Sequence, residues 1–256
     1  MRQATQYFYK NGLLLNTNKT KCMFIGSRGL ISQIPSTLHM NVGGSQISHC
    51  NSLNILGVHF DTYMQFDTHI NEICKKTYGT ILYINRIKKN FDKETRINVM
   101  MSLVLSVINY GIRIWGSTYK TQIHRVQKLQ NFAAKIAVGG ATKQDHVTPY
   151  LKELNWLKIK EKYKLEIGAL TYSIVRECLP AWLFTLPTLN NIRGHPRETR
   201  QNESLYVPKH NTCFGARALQ VEAPIFWNSL PSYVKQASSL PCFKERLKSY
   251  LLQSQF

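Results

Sequence analysis

Hydrophobic periodicity changes once along this chain, at Asp67, and that change limits what the chain can fold into. Upstream, apolar residues come in short runs broken by Gly, Ser and Asn. Downstream they recur at spacings of three and four, the period of a helix face. The downstream pattern predicts a helix capped by Asp67 or Thr68 and reaching Arg86, with Ile70, Ile73, Cys74, Ile81 and Leu82 inward. Asp92 caps a second helix, which turns Ile97, Met100, Met101, Val104, Leu105 and Ile108 inward and ends at Tyr110-Gly111. A third starts near Thr118, buries Ile123, Val126, Leu129, Ala133, Ile136 and Ala137, and stops at Gly139-Gly140. Thr148-Pro149 opens another, since proline at the first helical position gives up no needed donor. Trp156–Leu179 continues helical as far as Pro180.

Before Asp67 the expected elements are smaller. Residues 3–11 read as a short helix with Tyr7 and Phe8 inward, closed by Asn11-Gly12. Leu13–Leu15 and Cys22–Ile25 read as strands about a polar turn at Asn16 to Lys19. Strand pieces at Thr37–Val42 and Gln46–Ser48, joined at Gly43-Gly44, make a hairpin. Leu53–Phe60 reads as one short strand carrying Gly57, followed by a turn at Asp61-Thr62. At the other end, residues 186–222 shift toward Pro, Asn, Arg and Gly and read as a long basic loop with a strand at Ser204–Val207. Helices follow at Ala216–Ala223 and Phe243–Leu252, with Phe226-Trp227 as apolar anchors between them. The expected fold class is α+β: a small β-rich N-terminal part, a mainly helical region and a partly irregular C-terminal segment.

Charge narrows the partner. The 256 residues carry 33 Lys and Arg against 14 Asp and Glu, a formal +19, and no acidic residue precedes Asp61. Such a balance favours a polyanion, and 43% hydrophobic content still leaves enough for a core. Lys75, Lys76, Arg86, Lys88 and Lys89 cluster on and just after the first long helix. Lys120, His124, Lys128 and Lys135 recur near helical spacing, with Arg125 alongside, opposite the apolar face of the third. Lys158, Lys160, Lys162 and Lys164 alternate, which scatters them around a helix. Two basic helices with few compensating acids point to phosphate-backbone binding. Tyr78, Tyr83, Phe91, Tyr119 and Phe132 stand at helical spacing and are expected in the core rather than as base-stacking platforms. A membrane surface fits less well, because the basic helices present no interfacial row of Trp or Phe. The most apolar stretch, Ile97 to Ile114, is too short and too polar to span a bilayer. The opening residues MRQATQYFYKNG hold no apolar run of signal length, and the six cysteines stand far apart. Reduced thiols and an intracellular location, nucleus or cytoplasm, are expected.

The chemistry-bearing motifs are mostly excluded. GLLLNTNKTKCMFIG ends its polar part in Lys19-Thr20, yet has no glycine beside the lysine and so is no phosphate loop. No cysteines are spaced C-x-x-C, and neither His49-Cys50 nor the set His59, His69 and Cys74 matches a common ligand spacing. There is no Asp-Asp, Asp-x-Asp or Glu-x-Asp for a two-metal site and no G-x-S-x-G elbow. Asp61 and Asp67 suit a turn and a cap.

Five segments in order, GLLLNTNKTKCMFIG, LNILGVHFDTYMQFDTHI, NYGIRIWGS, RVQKLQNFAAKIAVG and FWNSLPSYVKQASSLPCFKERLKSYL, resemble the reverse transcriptase of non-LTR retrotransposons, LINE-like and nearest the jockey type. In that family a segment like the first closes the palm after the catalytic aspartates; Asn16, Lys19 and Thr20 match it. The second resembles the hairpin entering the thumb. Leu56, Gly57 and Val58 match the part that acts like a primer grip, and His69 and Ile70 match the thumb entry.

The resemblance implies a fragment of an RNA-directed DNA polymerase. Residues 1–66 would be the end of the palm with the thumb-entry hairpin, 67–140 a helical thumb-like region, 141–185 a helical connector, and 186–256 a C-terminal segment with a basic loop and terminal helix. The family's aspartate motif is expected upstream of Met1, so Mg2+ belongs to a complete polymerase and no cofactor to this chain. The implied partners are an RNA template and a DNA primer, gripped through phosphates by Lys19, Lys75, Lys76, Arg86, Lys88, Lys89, Lys120, Arg125, Lys128 and Lys135. A stand-alone nucleic-acid-binding protein of retroelement origin, or a decayed reading frame without function, are the alternatives.

Overall fold

A computed structural model describes residues 2–14, 16–35, 38, 40–42, 44–47, 49–139, 144–176, 186 and 204–255. The chain is α+β, mainly helical, with two small antiparallel sheets. It divides into two compact units, Met1–His69 and Ile70–Phe256.

The first unit holds α1 (Arg2–Lys10), α2 (Arg28–Ile31) and two hairpins. β1 (Met40–Val42) pairs with β2 (Ser45–Ile47), Val42 opposite Ser45. The expected hairpin is therefore present; its predicted residues Thr37, His39, Gly43 and Ser48 lie outside the described ones. Residues 52–61, read as a single strand over Leu53–Phe60, instead form a second hairpin, β3 (Ser52–Ile55) against β4 (Val58–Asp61). Its two-residue turn is Leu56-Gly57, both left-handed at φ 49° and 82°. This is the conformation whose twist matches paired strands, and leucine adopts it rarely. Asn54 closes the turn by accepting from the Gly57 N–H at 2.9 Å. Val42, Ile47, Val58 and Phe66 are the buried large apolar residues among those described in the unit, with the Phe66 ring against Phe60.

Three expectations fail here. Tyr7 is 65% exposed and Phe8 lies at the surface; their rings meet each other edge-on rather than entering a core. Neither Leu13 and Leu14 nor Cys22–Ile25 forms a strand. Asn16 accepts the Lys19 N–H and Thr20 donates to the Asn16 carbonyl, so local side-chain bonds hold residues 16–20 as a turn. Only Cys22 makes a bridge, parallel to His49; Leu15 lies outside the described residues.

The second unit carries the long helices. α3 (Asp67–Ile87) buries Ile70, Ile73, Ile81 and Ile84, with Leu82 half-buried, and a short 3-10 turn, Lys88–Asn90, follows it. Asp92 caps α4 (Lys93–Met100), accepting from the Thr95 N–H as its position predicts. A π-helical turn, Met101–Leu105, joins α4 to α5 (Ser106–Asn109). The wider turn rotates the apolar face, so Met100 is buried and Met101, expected inward, is exposed. Gly111, left-handed at φ 63°, starts α6 (Ile112–Trp115). α7 (Lys120–Val138) follows, and Arg96 donates to the Ala137 and Val138 carbonyls at its end and to that of Phe91.

α8 (Thr148–Glu153) has its proline in the first turn. α9 (Ile159–Val175) starts three residues later than Trp156. After it come α10 (Cys213–Ala216), α11 (Leu219–Ser229), α12 (Ser232–Lys235) and α13 (Leu240–Ser254). Leu165, Tyr172, Leu205, Trp227, Phe243 and Leu247 sit in one buried cluster, where Tyr172 stacks on Phe243 with centroids 4.6 Å apart. Phe226-Trp227, expected between helices, lies inside α11, which starts later than Ala216 and runs past Ala223. The strand at Ser204–Val207 reduces to Leu205: its N–H and carbonyl both bond the Asn228 side-chain amide at 2.9 Å. The bulk of the basic loop, residues 187–203, and the end of the helix predicted to Leu179 lie outside the described residues.

Candidate nucleic-acid interface

α3 and α7 lie side by side and run in the same direction. Arg125 Nη2 donates to Asn71 Oδ1 at 2.6 Å, and the Tyr78 and Phe132 rings meet at 6.3 Å; both contacts join residues 54 apart in sequence. Along α3, Asn71, Lys75, Tyr78, Leu82 and Arg86 follow helical spacing and share a stripe. On α7, Arg125, Lys128, Phe132 and Lys135 do the same. The common register therefore sets Lys75 and Lys128 on the seam, between the Asn71–Arg125 and Tyr78–Phe132 contacts. Arg86 extends the same stripe of α3, and Lys135, half-buried, extends that of α7.

Electrostatic compensation separates this seam from the Lys162 and Lys164 positions of α9. Arg113 and Lys162 both reach Glu166, at 2.7 and 2.8 Å, and Lys164 reaches Glu161 at 3.0 Å. Burial pushes Glu166 up, but the two cations hold its carboxyl below the usual carboxylate range. Lys93 pairs with Glu153. Among the described residues, Lys75, Lys76, Arg86, Lys88, Lys89, Lys120 and Lys128 take part in no such pair, and α7 contains no acidic residue. Burial raises the Cys74 thiol above its ordinary value, and Arg125 beside it opposes that rise.

The predicted residues thus separate. Lys75, Arg125 and Lys128 come together on the seam, with Arg86 and Lys135 along it. Lys76 is exposed outside that stripe, and Lys88 and Lys89 follow α3 in the 3-10 turn. Lys120 belongs to a cleft with His124 and Lys160. Lys19 is in the first unit: its backbone N–H, not its ammonium, makes the turn with Asn16, and the residue is exposed. Leu56 is fully outward at the hairpin tip, Val58 is buried, and His69 is buried with its ring 6.4 Å from that of His59. Asp61 spends both carboxylate oxygens on the backbone N–H groups of Tyr63, Gln65 and Phe66, the turn role expected of it.

The aromatic expectation is corrected. Tyr78 is 50% exposed and Tyr83 63%, while Tyr119 is also exposed, its ring under the Arg217 guanidinium at 4.5 Å. Tyr78 therefore offers a ring on the cationic seam. Asn71 was missed as a seam residue; its spacing from Lys75 and Tyr78 was the available signal. Among the described residues, no His, Cys, Asp and Glu side chains gather in a group of three or more fit for a metal. None of the helices there is long and apolar enough to cross a membrane. Comparison with protein-family models, with curated proteins and with solved structures finds no match for the chain.

Proposed function

We propose that this chain binds nucleic acid along the α3–α7 seam, as the palm-edge, thumb and C-terminal part of a non-LTR, jockey-type reverse transcriptase. In this reading it grips an RNA template and DNA primer and does not polymerise by itself. The observation carrying the binding half is the run of uncompensated cations at Lys75, Arg86 and Lys128 with Arg125 between the helices. Phosphates offer charge without sequence, which is what such a row can read. The family half rests on the five ordered segments, and the lack of polymerase activity on the missing paired-aspartate motif.

Fluorescence anisotropy with an RNA–DNA primer–template tests the binding. With about six phosphate contacts, affinity falls roughly 10³-fold between 50 and 200 mM salt. A flat salt profile removes the proposal. Primer extension on an RNA template with Mg2+ tests the second half: the expected result is no incorporation, and incorporation by this chain alone refutes it.

A further inference from the structure

A cleft of about 530 Å³ opens in the second unit between the first turns of α7 and α9. Lys120, Ile123 and His124 line it from α7, Lys160 from α9, and Glu222 from α11. The α7 and α9 walls are fixed by long-range hydrogen bonds. Gln127 Oε1 accepts from the Ile159 N–H at 2.8 Å, and Gln255 Oε1 from the Lys158 N–H at 2.9 Å. Tyr163, 4% exposed, donates to Glu222 Oε2 at 2.7 Å. A Cβ at Gly116 would come within 2.3 Å of the Tyr163 ring, so glycine is what lets the tyrosine lie there.

Within this frame the cleft has two chemical sides. Lys120, Lys160 and the His124 ring make no hydrogen bond or ion pair among the described residues. Across from them Glu222 accepts the Tyr163 hydroxyl at Oε2, and Glu161, which also lines the cleft, has a buried Oε2 with no partner among the described residues. Burial pushes the Glu222 carboxyl up, while Tyr163, Lys160 and Arg217 pull it back. A ligand matching both sides carries an anion at one end and a hydrogen-bond donor at the other. The volume falls in the range of small-molecule sites, far more than a bare phosphate fills.

We propose that this cleft binds a single nucleotide, its phosphate held by Lys120, Lys160 and His124 and its base or sugar donating to Glu222. The nucleotide is either free or the 5′-phosphorylated end of a strand. The site is separate from the α3–α7 seam, and either can fail without the other.

Isothermal titration of the full chain with GMP, AMP and CMP tests it, beside inorganic phosphate and guanosine. The expected result is saturable nucleotide binding about tenfold or more tighter than phosphate or nucleoside alone, a gap of about 1.4 kcal/mol. Lys120→Ala with Lys160→Ala weakens it about tenfold or more, and Glu222→Gln changes the ranking of the bases; thermal melts confirm that both variants fold. Lys75→Glu with Lys128→Glu leaves nucleotide binding unchanged. Displacement of GMP by a 5′-phosphorylated oligonucleotide, and not by its 5′-hydroxyl form, assigns the strand end; displacement by neither assigns the free nucleotide. Phosphate binding as tightly as GMP, no saturation, or full affinity in the Lys120/Lys160 variant overturns the proposal.

Discussion

Helix α9 and the α3–α7 pair are both rich in lysine, yet only on α9 do lysines pair with carboxylates of the same helix. On α9, Glu161 stands three residues before Lys164 and Glu166 four after Lys162, and both pairs form, with Arg113 joining from α6. α3 carries Asp67 in its first turn and Glu72 four residues before Lys76, whereas α7 offers no carboxylate at all. Carboxylate placement, not lysine number, decides which face keeps an unanswered field. Counterions condense on the phosphates such a field meets, and their release drives binding.

The largest expected effect comes from reversing charge on the seam. Lys75→Glu with Lys128→Glu removes two phosphate contacts and repels a third, lowering primer–template affinity about 100-fold near physiological salt and the log–log salt slope by about two. Anisotropy across a salt series measures both. An unchanged slope would mean that the seam is not where phosphates sit, and the contrast with α9 would lose its functional meaning.

That contrast was partly legible in the sequence. Caps and period placed α3, α4 and α7, because Asp92, Gly139 and the apolar spacing act locally. Spacing also put Lys128 opposite the apolar face of its helix, and the sequence grouped Lys75 with the basic cluster of α3. The parallel register of the two helices was not legible, since Asn71–Arg125 and Tyr78–Phe132 join residues far apart in sequence. Nor was the start of α9, whose first N–H groups are met by Gln127 and Gln255, 32 and 97 residues away. The second hairpin was hidden because leucine, not Asn or Gly, occupies its first left-handed turn position. Met101 was misplaced by a π-helical turn that an even period cannot anticipate.

A stability change that leaves the seam untouched sharpens the comparison. At Gly168 of α9 a Cβ would lie 2.6 Å from Leu247 and 3.0 Å from Phe226. Gly168→Ala overpacks the contact with α13 and costs about 1–3 kcal/mol in denaturant unfolding. The salt slope of the folded fraction stays as in the parent chain. A changed slope at constant fold would tie binding to α9 packing.

Removing compensation from α9 gives a smaller effect. Glu166→Gln releases Lys162 and Arg113, costing about 1 kcal/mol or less, because these ions are partly exposed and screened. The Glu166 carboxyl is held below its unfolded value, so its stabilisation is present above the ordinary carboxylate range and disappears as pH falls through the lowered value. Unfolding curves of parent and variant therefore converge on acidification. Divergence at low pH would contradict the sign. The freed cations also raise the salt slope slightly, which brings α9 closer to the seam in behaviour.

The smallest effect is expected from neutralising the answered lysines themselves. Lys162→Gln with Lys164→Gln removes two charges, as does Lys75→Gln with Lys128→Gln, so net charge cannot distinguish the pairs. The α9 pair already sits against Glu166 and Glu161, at 2.8 and 3.0 Å, and recruits no phosphate in this account. Its neutralisation should move affinity less than about twofold, with the slope unchanged, against a slope loss of about two for the seam pair. If both pairs weaken binding equally, the protein reads polyanions by total charge alone. The seam would then be no more an interface than any other cationic surface of the unit.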